Sequence, residues 1–174
     1  MPCGVRMRIL SFDQALANTG WVLFEHDPDD GLEPIRTGLL TTDTSDKGHL
    51  GSLCRAQDIH AQVLDLVFRF GVPGVVLHES PPVAGRMSRP ESSLLAALAI
   101  RMAYGDTTVE MISGQRAKAI VAGNPKATKA EVRSGVLRRV PDLATLRPAN
   151  EHTYDAAALA ITYLHDQKEA SDGQ

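Results

Sequence analysis

Ile9-Leu10-Ser11-Phe12-Asp13-Gln14-Ala15-Leu16-Ala17-Asn18-Thr19-Gly20-Trp21-Val22-Leu23-Phe24 decides how this chain is read. Two apolar, β-prone runs flank a short polar turn, which is the pattern of a β-hairpin. One acidic side chain, Asp13, stands at the end of the first run. Taken alone, a strand-end aspartate reads first as a turn cap. A carboxylate beside a buried strand is nevertheless costly without a partner, and a divalent cation held by one or two carboxylates is one such partner. The rest of the chain has to choose between the two.

Moving outward, strands over about 8–13, 20–26 and 34–41 form a meander, joined by Asn18-Thr19-Gly20 and the acidic loop Asp27-Pro28-Asp29-Asp30-Gly31. Leu53, Ile59, Val63, Leu66, Val67 and Phe70 recur at helical spacing, predicting an amphipathic helix over 50–70 that Gly71 and Pro73 end. Its Leu/Val face serves equally as core or as a dimer surface. Gly74-Val75-Val76-Leu77-His78-Glu79 is a short strand with a second acid at its C-terminal end, the edge where open α/β sheets bind ligands. Pro81-Pro82 and Gly85-Arg86-Met87-Ser88-Arg89-Pro90 predict an exposed loop. A helix over 91–104, a strand over 107–112, a helix over 115–121 and a helix from 128 or 129 to 140 follow. Thr128 with Glu131 gives the last of these a capping box. Pro141 and Pro148 bound a linker, residues 150–165 form the final helix, and the acidic segment 166–174 is expected to fray. This order of elements predicts an α/β fold, a mixed five-stranded sheet flanked by helices, in one domain over 1–170.

Composition narrows the function. The chain has 174 residues, 43% hydrophobic and 22% charged, with a net charge of −3, ordinary values for a soluble globular domain. No apolar run is long enough to cross a bilayer and the N-terminus lacks a secretory h-region, so a cytoplasmic location without membrane association is expected. Cys3 and Cys54 make neither a disulfide framework nor a zinc pattern. The charge is uneven: residues 86–147 hold 11 Lys and Arg against 5 Asp and Glu, while the remainder holds 7 against 16. One face is thereby suited to a polyanion.

The final helix offers Glu151, His152 and Asp155 in its first turns, and His152 and Asp155 share a face at i, i+3. Ala156-Ala157-Ala158-Leu159-Ala160-Ile161 behind them is small and apolar, which lets the helix dock closely on the sheet. A lone Glu151 is an ordinary partner of the helix dipole, and a lone His152 an ordinary partly buried histidine. Together with two strand-end acids they make a set able to hold two cations, and two metal ions about 3.5–4 Å apart serve phosphodiester hydrolysis.

These residues resemble the RuvC Holliday-junction resolvases of the ribonuclease H-like superfamily, over nearly the whole chain. Ser11-Phe12-Asp13-Gln14-Ala15-Leu16-Ala17-Asn18-Thr19-Gly20-Trp21 resembles that family's Gly-Ile-Asp-Pro-Gly…Thr-Gly motif. Val75-Val76-Leu77-His78-Glu79 resembles its Glu-bearing strand. The segment Gly114-Gln115-Arg116-Ala117-Lys118-Ala119-Ile120-Val121-Ala122-Gly123 with Ala127-Thr128-Lys129-Ala130-Glu131-Val132 is similar to its lysine-bearing DNA-contact region. His152-Thr153-Tyr154-Asp155 resembles its closing helix in a His-x-x-Asp version. The resemblance implies a catalytic and metal-binding set of Asp13, Glu79, His152 and Asp155, two Mg²⁺ or Mn²⁺ ions, and Lys118 near the scissile phosphate. Arg86, Arg89, Arg116, Lys126 and Lys129 are assigned to the DNA. It further implies a homodimer that cuts Holliday junctions by paired nicks leaving 5′-phosphate ends. Two departures stand out: Gln14-Ala15 replaces Pro-Gly, and Ser80-Pro81-Pro82-Val83 replaces an aromatic wedge. A broader branch, flap or fork nuclease and a non-catalytic junction-binding protein therefore remain open, and an actin-like ATPase is disfavoured by the chain's length.

Overall fold

The computed structural model describes residues 6–45, 48–80 and 90–173. Strands β1 (Met7–Asp13), β2 (Asn18–Asp27) and β3 (Gly31–Thr41) form the meander. Helix α1 (His49–Phe70), β4 (Val75–Glu79), α2 (Pro90–Tyr104) and β5 (Val109–Ile112) follow, and then α3 (Gly114–Ala122), α4 (Lys129–Arg139), a 3-10 turn (Pro141–Thr145) and α5 (Glu151–Asp172). The sheet order is β3-β2-β1-β4-β5, with β1 antiparallel to β2 and parallel to β4. The mixed five-stranded sheet expected from the sequence is present.

Alternation along the strands divides the core into two layers. Leu10, Phe12, Leu23 and Val76 pack with Ile59, Val63 and Leu66 of α1 and Ile100 of α2. Ile9, Val22, Phe24, Val75 and Leu77 pack on the other face with α3, α4 and the small-residue face of α5. Asp13 continues the series Ile9, Ser11, and Glu79 the series Val75, Leu77, so period 2 sends both acids to the α5 side. Register completes the arrangement: the parallel β1–β4 ladder runs to Phe12 against His78, leaving Asp13 and Glu79 as adjacent strand ends.

Four details depart from the sequence reading. The β1–β2 turn precedes Asn18 and is tied by Thr19, whose hydroxyl bonds the Ala15 carbonyl and accepts from the Ala15 amide. Helix α5 runs on through Asp172, beyond the fraying expected from 166, because Arg116 engages Asp166 and Glu169 on its later turns. The linker contains the 3-10 turn that buries Leu143. On α1, Ile59, Val63 and Leu66 belong to the core, whereas Leu50, Leu53, Leu64 and Phe68 are exposed. Most of the predicted Leu/Val face is thus core, whereas Leu53, counted with it in the sequence, belongs to an outward apolar stripe. The loop carrying Arg86 and Arg89, including the Pro81-Pro82-Val83 wedge replacement, lies outside the described residues. Among the described residues no helix is long and apolar enough to cross a membrane.

Candidate active site

Three elements bring their acids to one place. Asp13 ends β1, Glu79 ends β4, and Asp155 lies in the first turns of α5. All three line a cavity of about 110 Å³ together with Lys118 of α3, Lys129 of α4 and Gly114. The position of α5 is fixed at its start, where Asn150 and Thr153 form a reciprocal capping box. Its approach is fixed by Gly20, the β2 residue opposite Asp13. A Cβ on Gly20 would lie 2.5 Å from the backbone carbon of His152, so only glycine lets the helix end come this near. Gly114 does the same for Glu79, since a Cβ there would stand 1.9 Å from Glu79 Oε1.

His152 stands beside the three acids. Its Nδ1 lies 2.8 Å from Asp13 Oδ2, holding that carboxylate from the side, and it is not among the residues lining the cavity. The hydrogen bond to Asp13 raises the pKa of the imidazole, burial opposing it. Glu79 is raised by burial and then by the charges of Asp13 and Asp155. Burial likewise raises Asp155, outweighing the lysine beside it. Lys129 Nζ donates to Asp155 Oδ2. Burial works against that ammonium, yet the carboxylate prevails and its pKa is raised.

A cluster of oxygens short of positive charge suits a hard divalent cation. The three acids do not close on one point: among the described residues, only His165, Asp166 and Glu169 bring three such ligand atoms within 4.8 Å of one another. Arg116 already engages two of that trio, Asp166 and Glu169. Carboxylates lining one cavity are a donor set of the kind divalent cations take.

The remaining assigned cations divide. Lys118 and Lys129 face the cavity. Lys126 is exposed in the α3–α4 loop, where its amide caps Asn124 Oδ1 at 2.9 Å. Arg116 is turned away, with Nε 3.0 Å from Asp166 Oδ2. Sequence reasoning quoted Gly114 and Gln14 but gave neither a role in the site. Period 2 gives no signal for a glycine that serves a neighbouring strand's carboxylate, or for an amide that reaches across to a strand remote in sequence.

No family profile matches the chain, and no curated protein does. Solved structures do. Thermus thermophilus RuvC aligns with a TM-score of 0.74 at 21% identity, over 94% of this chain and 97% of that one. The fold is that of RuvC. The same protein in complex with Holliday junction substrate aligns at 0.76, with 21% identity, over 94% and 96% of the two chains. The yeast mitochondrial Holliday junction resolvase Ydc2 aligns at 0.62, with 13% identity, over 95% and 82%. At these identities the likeness establishes the RuvC fold, and the chemistry has to be argued from the residues.

Proposed function

We propose that this chain is a divalent-metal-dependent, structure-selective DNA endonuclease that resolves four-way junctions by paired nicking. The observation that carries the reading is the convergence of Asp13, Glu79 and Asp155, from three elements, on one cavity flanked by Lys118 and Lys129. The RuvC fold supports it, since one solved structure of that fold holds a Holliday junction.

In this reading Asp13, Glu79 and Asp155 hold Mg²⁺ or Mn²⁺, two per site, which would polarise the phosphate and activate the attacking water. His152 keeps Asp13 in one orientation and shares its charge. Lys118 and Lys129 face the entering phosphate and offset its negative charge. Lys129, paired with Asp155 at the cavity wall, would neutralise charge on an entering phosphate from the side opposite the sheet ends. The products would carry 5′-phosphate and 3′-hydroxyl ends. Lys126 of the α3–α4 loop and Arg133 of α4, both exposed, are further cations we assign to the DNA backbone. Binding dominated by phosphates falls steeply with added salt.

A homodimer suits this substrate, because a two-fold protein matches a near-two-fold junction. The exposed stripe Leu53, Leu64 and Phe68 of α1, with Leu94, Leu98 and Met102 of α2, is the surface we assign to it.

Synthetic branched DNAs provide the test. With Mg²⁺ or Mn²⁺, a mobile four-way junction should be cut by symmetric nicks into ligatable duplexes. Faster cleavage of a 5′-flap or fork would redirect the reading to a broader branch nuclease. A chain that binds junctions but takes up no Mn²⁺ and nicks nothing would overturn it in favour of a binding protein.

A further inference from the structure

Parallel β4 presents the main-chain N–H and C=O of Glu79 toward β1, while the flanking Ser80 amide bonds Ile112 of β5 at 2.8 Å. Yet the β1–β4 ladder ends one step earlier, at Phe12 against His78, because the chain leaves the sheet after Asp13. Without a further partner the amide of Glu79 would be stranded at a half-buried sheet end, where unpaired backbone is rarely tolerated. Gln14 meets this amide and the carbonyl alike. Its Nε2 donates to the Glu79 carbonyl at 2.5 Å, and its Oε1 accepts from the Glu79 amide at 2.9 Å. The side chain is only 5% exposed. On the far side of the same carbonyl, His78 Nδ1 lies 3.0 Å away.

We propose that Gln14 is a positioning residue: its side-chain amide acts as one more rung of the sheet and fixes the spacing between the strand ends that carry Asp13 and Glu79. The inference rests on the nuclease reading above and deepens it. Gln14 directly follows Asp13 in the chain and grips Glu79 through its backbone, so it occupies neither carboxylate. Nothing else among the described residues ties these two strand ends beyond the last ladder pair. Both donor and acceptor are needed, so a primary amide is the side chain that satisfies the pair at this length.

Gln14→Met keeps the size and burial of the side chain and removes both bonds. The Glu79 amide should lose protection from hydrogen exchange, the Mn²⁺ dissociation constant measured by calorimetry should rise about 10- to 100-fold, and kcat for junction nicking should fall in parallel. KM for the junction should stay unchanged, and added Mn²⁺ should restore part of the rate. Gln14→Leu, which removes the same two bonds with a different apolar shape and no added charge, supplies the same measurements if Gln14→Met does not fold. A folded variant with wild-type Mn²⁺ affinity and kcat, or one whose defect lies in KM alone, overturns the assignment. A wild-type chain that neither binds Mn²⁺ nor nicks brings down the nuclease reading and this inference with it, whereas a competent wild type with unaffected variants brings down this inference only.

Discussion

Asp13 and His152 stand 139 positions apart in the chain and meet in a 2.8 Å hydrogen bond between carboxylate and imidazole. The bond joins the end of β1 to the start of α5, so one contact fixes both the orientation of a candidate ligand and the docking of the closing helix.

It predicts a titration. The His152 pKa is raised by Asp13, so its ring signals followed by NMR should titrate above the ordinary histidine value near 6.5. In Asp13→Asn the midpoint should drop. A raised value in the folded state means that this pair stabilises the fold fully below the unfolded-state pKa. The contribution disappears as pH rises through the folded-state value. Thermal melting of wild type and His152→Gln across that window should converge on the alkaline side.

Removing a carboxylate should separate chemistry from binding. Asp13→Asn, Glu79→Gln and Asp155→Asn each delete an oxygen charge from the cavity and keep the shape of the side chain. A loss of several kcal/mol of transition-state stabilisation corresponds to a fall in nicking of at least about 100-fold. Gel-shift affinity for the junction should remain within a few-fold. Near wild-type nicking by Glu79→Gln would remove that residue from the site.

Acid should silence the site earlier than ordinary carboxylates would. Glu79 and Asp155 are both raised, burial being the leading cause for each, and cation binding requires their ionised forms. The rate should therefore fall on acidification at a pH above the usual carboxylate range. The linked stability has the opposite sign: without metal, raised acids favour the fold below their unfolded-state values, and that contribution is lost as pH rises through the folded-state ones. At neutral pH, Mn²⁺ should accordingly raise the melting temperature relative to the chelated protein.

Gly114→Ala tests geometry without touching a charge. The added Cβ would occupy a point 1.9 Å from Glu79 Oε1. The carboxylate is the far end of a side chain and swings aside, so the fold should survive while its aim is lost. A displacement of about 1 Å at a reacting group costs on the order of 100-fold, and nicking should drop by at least about tenfold with little change in melting temperature.

Gly20→Ala should show the reverse balance. Its Cβ would meet backbone and Cβ atoms of His152 at 2.5 Å, atoms that move only if α5 moves. Overpacking of this kind costs about 1–3 kcal/mol, which for a domain of this size lowers the melting temperature by roughly 2–4 °C per kcal/mol. Calorimetry or circular dichroism gives the answer directly.

Most secondary elements, and the placement of Asp13 and Glu79 at strand ends, were legible in the sequence. Alternation in Ile9-Leu10-Ser11-Phe12-Asp13 and Val75-Val76-Leu77-His78-Glu79 is local, and period 2 fixes side without knowledge of neighbours. The Thr128–Glu131 cap was legible for the same reason, and structure bears it out. Only the tertiary structure decided the partners. That β1 lies beside β4, that Arg116 turns to α5 rather than to the cavity, and that Gln14 completes a ladder for Glu79 all depend on contacts between segments remote in the chain. Such contacts depend on through-space distance, which periodicity along a single segment does not encode.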